Sequence, residues 1–376
     1  MLTLCLAGDV MTGRGIDQIL PHAGSPVLFE EYVRNAQHYV AIAERAHGRI
    51  GSPVDFAYIW GCALEELERA RPDARIANLE TAVTTAGDPW PGKGVHYRMH
   101  PANAPCLAAG RIDCWVLANN HVLDWGYAGL AETLEVLHRQ GMRTAGAGKD
   151  AREAAAPAVI ETAQGVRVSV YAFCTPDSGV PLNWAAGPQR AGVDLLPDLS
   201  IERAESIGRQ IERDKRPGDI VVASLHWGGN WGYEIGAQRR AFAQALIERA
   251  LVDVVHGHSS HHPLGIEIHR GKLILYGCGD LLNDYEGIGG YEEFRPHLAV
   301  AYLPALDAST GQLVDLRLLP MQVDRMQLRH ASGKDTRRLR AMLDREGSAL
   351  GTAFSIDPDG WLRLTIPSPD PYVPPR

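Results

Sequence analysis

The chain has 376 residues, of which 45% are apolar and 22% charged, with 39 Gly and 24 Pro. That profile suits a folded, loop-rich protein of one large or two ordinary domains and excludes a disordered or fibrous one. The formal net charge of −8 excludes the basic footprint of a nucleic-acid binder, so no nucleic-acid partner is expected.

Six Cys, at positions 5, 62, 106, 114, 174 and 278, form no CxxC pair and read as reduced, mostly buried thiols. The opening segment MLTLCLAGDVMTGRG lacks a cationic start and reaches Asp9 too early for a secretory signal. No apolar run approaches the ~20 residues of a membrane-spanning helix. A cytoplasmic protein without membrane attachment is therefore expected.

Short apolar runs alternate with helical periodicity, which predicts an α/β fold. The first strand is expected at 2–7 and empties into the loop at Gly8. Strands at 75–79, 113–117, 166–173, 219–226, 253–256 and 272–276 repeat the plan, each running into Gly, Asn, Asp or His. Amphipathic helices at 127–140, 201–215 and 236–250 lie between them. Open α/β sheets collect their chemistry at the carboxyl ends of strands. Residues 21–71 read as a helical insertion rich in aromatics and His, and loops 90–99 and 177–197 are long enough to be lids or substrate walls.

Beyond His297 the sequence predicts alternating strands, a charged helix near 335–346, a hairpin around 357–360 and a Pro-rich tail. The Arg run at 334–340 reads as a solvated helix face. With no internal repeat and no linker, residues 1–376 are expected to form a single domain, with a C-terminal extension at about 300–376.

Histidine is the informative residue. Four of the seven residues from His256 to His262 are His, on a turn after an apolar strand. Such a cluster can present several nitrogens to one point, as a transition metal requires. Other strand ends supply complementary donors: Asp9, Asn78, Glu80, Asn119, Asn120, His121 and His226. Alone, each could be a helix cap or turn former. Together they form a mixed hard and borderline set suited to one or two divalent ions, among which Mn, Fe, Zn, Mg and Ca are not distinguished. A carboxylate such as Glu80 could bridge two of them.

These residues fall into ordered motifs: Gly8-Asp9-Val10-Met11, Asn78-Leu79-Glu80, Ala118-Asn119-Asn120-His121 with Asp124 and Gly126, His226-Trp227-Gly228, and Gly257-His258…His261…Glu267. Over about residues 1–300 the chain resembles the CapA-like, poly-γ-glutamate synthesis branch of the calcineurin-like metallophosphatase superfamily. The resemblance implies a four-layer α/β/β/α sandwich with metal ligands Asp9, Glu80, Asn120, His226, His258 and His261. It puts His121 where the superfamily has its acid–base His. Met11 stands where ordinary metallophosphatases have His, so one of two metal positions is expected to be weaker or absent. Gly279-Asp280-Leu281 replaces the branch's usual Gly-Asn-Phe, and Asp280 is an extra ligand, a general base or a turn cap. His297, after the Gly-rich stretch 287–290, is a further catalytic candidate.

A divalent ion acidifies water, polarises carbonyls and clamps anions. Hydrolysis would use the first of these, with His121 protonating the leaving group. A polarised amide would instead acidify an adjacent Cα–H, which His121 and Asp280 could remove and return. Loss of the first-motif His and the aromatic loops favour a peptide substrate, and the chain also resembles, more loosely, the lasso-peptide epimerase group. The ranking is epimerisation first, hydrolysis of a γ-glutamyl or peptide amide or a phosphoester second, and a non-catalytic peptide-binding module last. Trp227 and Trp231, flanking a Gly-rich turn after His226, are expected to grip the peptide. Trp90 and Trp184 are further wall candidates, and Trp60 and Trp125 read as packing.

Overall fold

The computed structural model describes residues 1–365, and the expected Pro-rich tail lies outside them. Two sheets carry the fold. The larger has ten strands and is parallel where Leu2–Val10, Ala74–Leu79, Cys114–Val116 and Arg143–Ala145 lie side by side. The smaller has six, with Lys272–Leu275, Val254–His258, Ile220–His226 and Arg167–Cys174 parallel at its centre. The expected strands form within a few residues of their predicted ends, as do helices Gly126–Arg139, Ile201–Asp214 and Ala237–Arg249.

Side-chain alternation makes the layers. In the smaller sheet Val168, Val170, Ala172, Val222 and Leu275 face the larger sheet and join its core. Tyr171, Phe173, Val221, Ala223, Leu225 and Ile274 face the other way and pack on helices Ile201–Asp214 and Ala237–Arg249. Beyond the larger sheet, Trp60 of the insertion lies 6.4 Å from Trp115 and donates its indole N–H to the Cys106 carbonyl at 2.7 Å. The result is the four-layer α/β/β/α sandwich.

The insertion at 21–71 contains helices Gln37–His47 and Cys62–Ala70. The C-terminal extension is built into the first sheet, because Leu298–Leu306 pairs antiparallel with the first strand and Leu313–Val323 pairs beyond it. The charged helix forms at Gly333–Gly347, and the hairpin joins Ala353–Ile356 to Leu362–Thr365. All six cysteines are free. Among the described residues no helix is long and apolar enough to cross a membrane.

Candidate metal centre

Strand register brings the donors together. Asp9, on the first strand, is flanked by Asn78 on one parallel neighbour and Asp280 on the other, and in the facing sheet His226 is the register partner of His258. Gly8 permits the close approach, since a Cβ there would lie 1.8 Å from the Gly279 carbonyl oxygen.

Two donor groups share the Asp9 carboxylate. In one, Asp9, His226 and His258 offer ligand atoms within 4.8 Å of one another; in the other, Asp9, His261 and Asp280 do the same. His226 Nδ1 lies 2.9 Å from His258 Nδ1, which is 3.7 Å from Asp9 Oδ1. His226 Nε2 lies 3.1 Å from Asn120 Oδ1. His261 Nδ1 is 2.9 Å from Asp280 Oδ1, whose second oxygen accepts from Asn283 at 2.8 Å. Asn78 donates to Asp9 at 2.7 Å and reaches Glu80 at 3.5 Å, and Asn119 holds the Asn78 amide oxygen at 2.9 Å.

These groups are nearly or wholly buried, and burial sets their protonation. It pushes Asp9 up to about 7, helped by the neighbouring Asp280 charge. Glu80 is raised well above the usual carboxylate range by burial and then by Asp9. Burial and neighbouring imidazoles hold His226 and His258 well below the ordinary His value, so both stay neutral. For His261 burial opposes charge, but the facing Asp280 outweighs it and raises the pKa.

Carboxylates crowded together in a dry site are short of positive charge, since His226 and His258 are neutral and only His261 is drawn toward charge, by Asp280. The nearby cations do not supply it, because Lys93 pairs with Asp124 at 2.6 Å and Arg14 is engaged by Asp284 and Glu30. This donor set therefore fits a divalent cation.

Beside the donors, His121 Nδ1 lies 2.6 Å from Asp124 Oδ2, and its Nε2 lies 3.7 Å from Glu80. Burial lowers His121 to about 4 against the pull of Asp124, so its imidazole is neutral near pH 7. The same face opens into a cavity of about 410 Å³ lined by Tyr32, Tyr39, Tyr97, Tyr285, Trp231 and Tyr291 among others. Trp231 and Tyr291 stack with centroids 4.1 Å apart.

The first-motif loop is clamped to the walls by Arg14. Its guanidinium binds Asp284, donates to Glu30 at 2.9 Å and to Tyr39 Oη at 3.1 Å, and lies 4.0 and 4.5 Å from the Tyr39 and Tyr97 ring centres.

The structure thus brings Asp9, Glu80, Asn120, His226, His258, His261, His121 and Asp280 to one place, and Trp231 to the cavity beside it. It does not bring His297 there; the charges that act on that half-buried ring are Asp335, Arg295, His47 and Arg338. Trp227 is also a correction to the peptide-gripping expectation. It is 1% exposed and packs on Tyr276 and Phe242 behind the smaller sheet, because position 227 alternates onto the helix-covered face. Trp184 is fully buried, whereas Trp90 is partly buried and packs on Trp184 and Tyr127.

Sequence reasoning missed Arg14, Lys93 and the tyrosines. A charged residue three positions after Met11, inside a buried strand-end loop, was the available signal for Arg14, and Lys93 is one of only five lysines.

Comparison with known proteins gives a consistent result. A family model described as bacterial capsule synthesis protein PGA_cap matches residues 3–285. Proteins of two Mycobacterium tuberculosis strains, named probable polyglutamine synthesis accessory proteins, are 47% identical over 97% of this chain and 96% of their own. The capsule biosynthesis protein CapA of Bacillus anthracis is 23% identical, over 75% of this chain and 60% of its own. The PGA biosynthesis protein CapA of Bacillus subtilis is 25% identical, over 80% and 67%.

Proposed function

The chain belongs to the bacterial capsule synthesis protein PGA_cap family, and from that we propose that it is a metal-dependent hydrolase of amide bonds in a chain of glutamyl or glutaminyl units. The substrate class follows the polyglutamine and PGA synthesis named for its relatives. The observation that carries the reaction type is the His121–Asp124 dyad, a single proton-transfer pair set beside the shared-carboxylate cluster and open to the cavity.

Asp9, Glu80, Asn120, His226, His258, His261 and Asp280 would hold the metal. When bound it supplies Lewis acidity toward water and toward an amide carbonyl. Asp124 accepts the Nδ1–H of His121 and so leaves Nε2 bare toward the cavity. Neutral His121 takes a proton from the attacking water and gives it to the departing amide nitrogen. Lys93 neutralises Asp124. Trp231 and Tyr291 offer a flat wall for the chain on either side of the scissile bond.

Hydrolysis is favoured over epimerisation because inverting a Cα needs proton-transfer groups on both faces. Asp280, one of the two bases that inversion would call on, is already engaged by His261 and Asn283 and grouped with Asp9.

The test is incubation of the metal-loaded protein with γ-linked glutamate and α-linked glutamine oligomers in D₂O and, separately, in H₂¹⁸O, read by mass spectrometry. Cleavage with ¹⁸O in the new carboxylate, lost in His121→Ala, is expected. Deuterium gain without cleavage would replace hydrolysis by α-proton exchange. Neither change, with metal retained, would leave an accessory binding role.

A further inference from the structure

Three buried side chains of the smaller sheet stand in line behind the donor cluster, and the mechanism uses only the last of them. His256 Nε2 lies 3.0 Å from the Ala7 carbonyl oxygen, on the first strand of the facing sheet. His256 Nδ1 lies 3.0 Å from Ser224 Oγ, and the same hydroxyl is 2.9 Å from His258 Nε2. Ser224 and both imidazoles are at most 1% exposed.

We infer that Ser224 and His256 are positioning residues that fix His258 in its Nε2–H tautomer and turn the bare Nδ1 toward Asp9 and His226. The inference rests on the reading of this cluster as a metal site.

The polarity of the chain follows from one fixed end. A backbone carbonyl can only accept, so His256 Nε2 carries the hydrogen. His256 meets a carbonyl and a hydroxyl and no carboxylate, so in this dry position the ring is neutral and its Nδ1 is an acceptor. Ser224 has one hydroxyl proton and must give it to that Nδ1. Its oxygen is then free to accept, and the donor facing it is His258 Nε2–H.

The reverse direction fails at the His256 end. A hydroxyl proton given to His258 would leave the Ser224 oxygen and His256 Nδ1 as two facing lone pairs without water. His258 Nδ1 is thus the free nitrogen, and it is the atom 2.9 Å from His226 Nδ1 and 3.7 Å from Asp9 Oδ1. A ligating imidazole needs this arrangement, with one nitrogen held by a protein acceptor and the other bare. Strand register builds it, since Ser224 is the cross-strand partner of His256, and His258 follows two residues later on the same face.

The experiment is long-range ¹H–¹⁵N correlation of the imidazoles in metal-stripped, His-labelled full-length protein, with chelator-competition titration of Zn²⁺ on wild type and Ser224→Ala. Wild type should show both His256 and His258 as Nε2–H tautomers. In Ser224→Ala the His258 pattern should move toward a tautomer mixture, and Zn²⁺ affinity should fall about 10- to 100-fold. His258 found as Nδ1–H in wild type, or a Ser224→Ala protein with unchanged tautomer and affinity, would overturn the inference. The tautomer readout needs neither substrate nor turnover, so failure of the hydrolase reading would leave it standing, and its own failure would leave hydrolysis open.

Discussion

Replacing Arg14 by Met removes a cation that joins walls of the cavity while keeping much of the side chain's volume. Asp284 and Glu30 are 0% and 1% exposed, so the change leaves two carboxylates in the interior without a counter-charge. Breaking a buried ion pair from one side costs about 3–5 kcal/mol. The stacking of the guanidinium on Tyr39 and Tyr97 contributes about 0.5–2 kcal/mol, overlapping with the first figure. A loss of about 4 kcal/mol in urea-unfolding free energy is therefore expected at pH 7.

The loss should shrink as the pH falls. Carboxylates that bind protons more tightly folded than unfolded make stability rise on acidification. Adding Glu30→Gln and Asp284→Asn to Arg14→Met should restore much of the loss by removing the stranded charges. Metal content should be unchanged, since Arg14 hydrogen-bonds to none of the donors. A cost below about 1 kcal/mol, or one independent of pH, would refute the view that Arg14 stabilises the wall by neutralising both acids.

Metal binding should release protons and weaken as the pH falls through about 7, where buried Asp9 takes up its proton; titration calorimetry in buffers of different ionisation heat reads this directly. In the metal-stripped protein the sign is opposite for stability. Asp9 is raised from 3.8 to about 7, so its contribution is fully present below about pH 4 and lost as the pH rises through 7. Melting of the stripped protein over pH 4–8 should show that decline, and metal should suppress it. Asp280→Asn should lower metal stoichiometry by one ion per chain in elemental analysis, and an unchanged value would dissolve the second donor group. Trp231→Ala should raise KM for oligomer substrates at unaltered metal content. Trp227→Ala should instead cost about 3–5 kcal/mol of stability through the cavity it leaves behind the smaller sheet.

Much of the donor set was legible in the sequence because most of the donors sit at or just after the end of a strand, where an apolar run breaks into Asp, Asn or His. Asp9 after 2–7, the Asn78–Glu80 step, Asn119–His121, His226 and the His256–His262 run all carry that local mark, and local marks survive without tertiary knowledge. The α/β class followed from the same runs and the helices between them, whereas the four-layer α/β/β/α order came from the family resemblance.

Contacts between elements far apart in the chain were decided only by the tertiary structure. Asp280 lies 271 positions from Asp9, and parallel pairing alone makes them neighbours. Arg14 meets Asp284 across 270 positions and Glu30 across 16, and no periodicity announces either meeting. Trp227 and Trp231 look equivalent on one Gly-rich turn, yet pleat direction buries the first behind the sheet and sends the second into the cavity. His256 reads as one more member of the His256–His262 cluster, and Ser224 as an ordinary strand residue, until the facing sheet sets the Ala7 carbonyl against His256. Sequence determines which chemical groups are offered and on which kind of element; register and sheet facing decide which of them touch, because hydrogen bonds and charge pairs act over a few Å in space, whatever the separation along the chain.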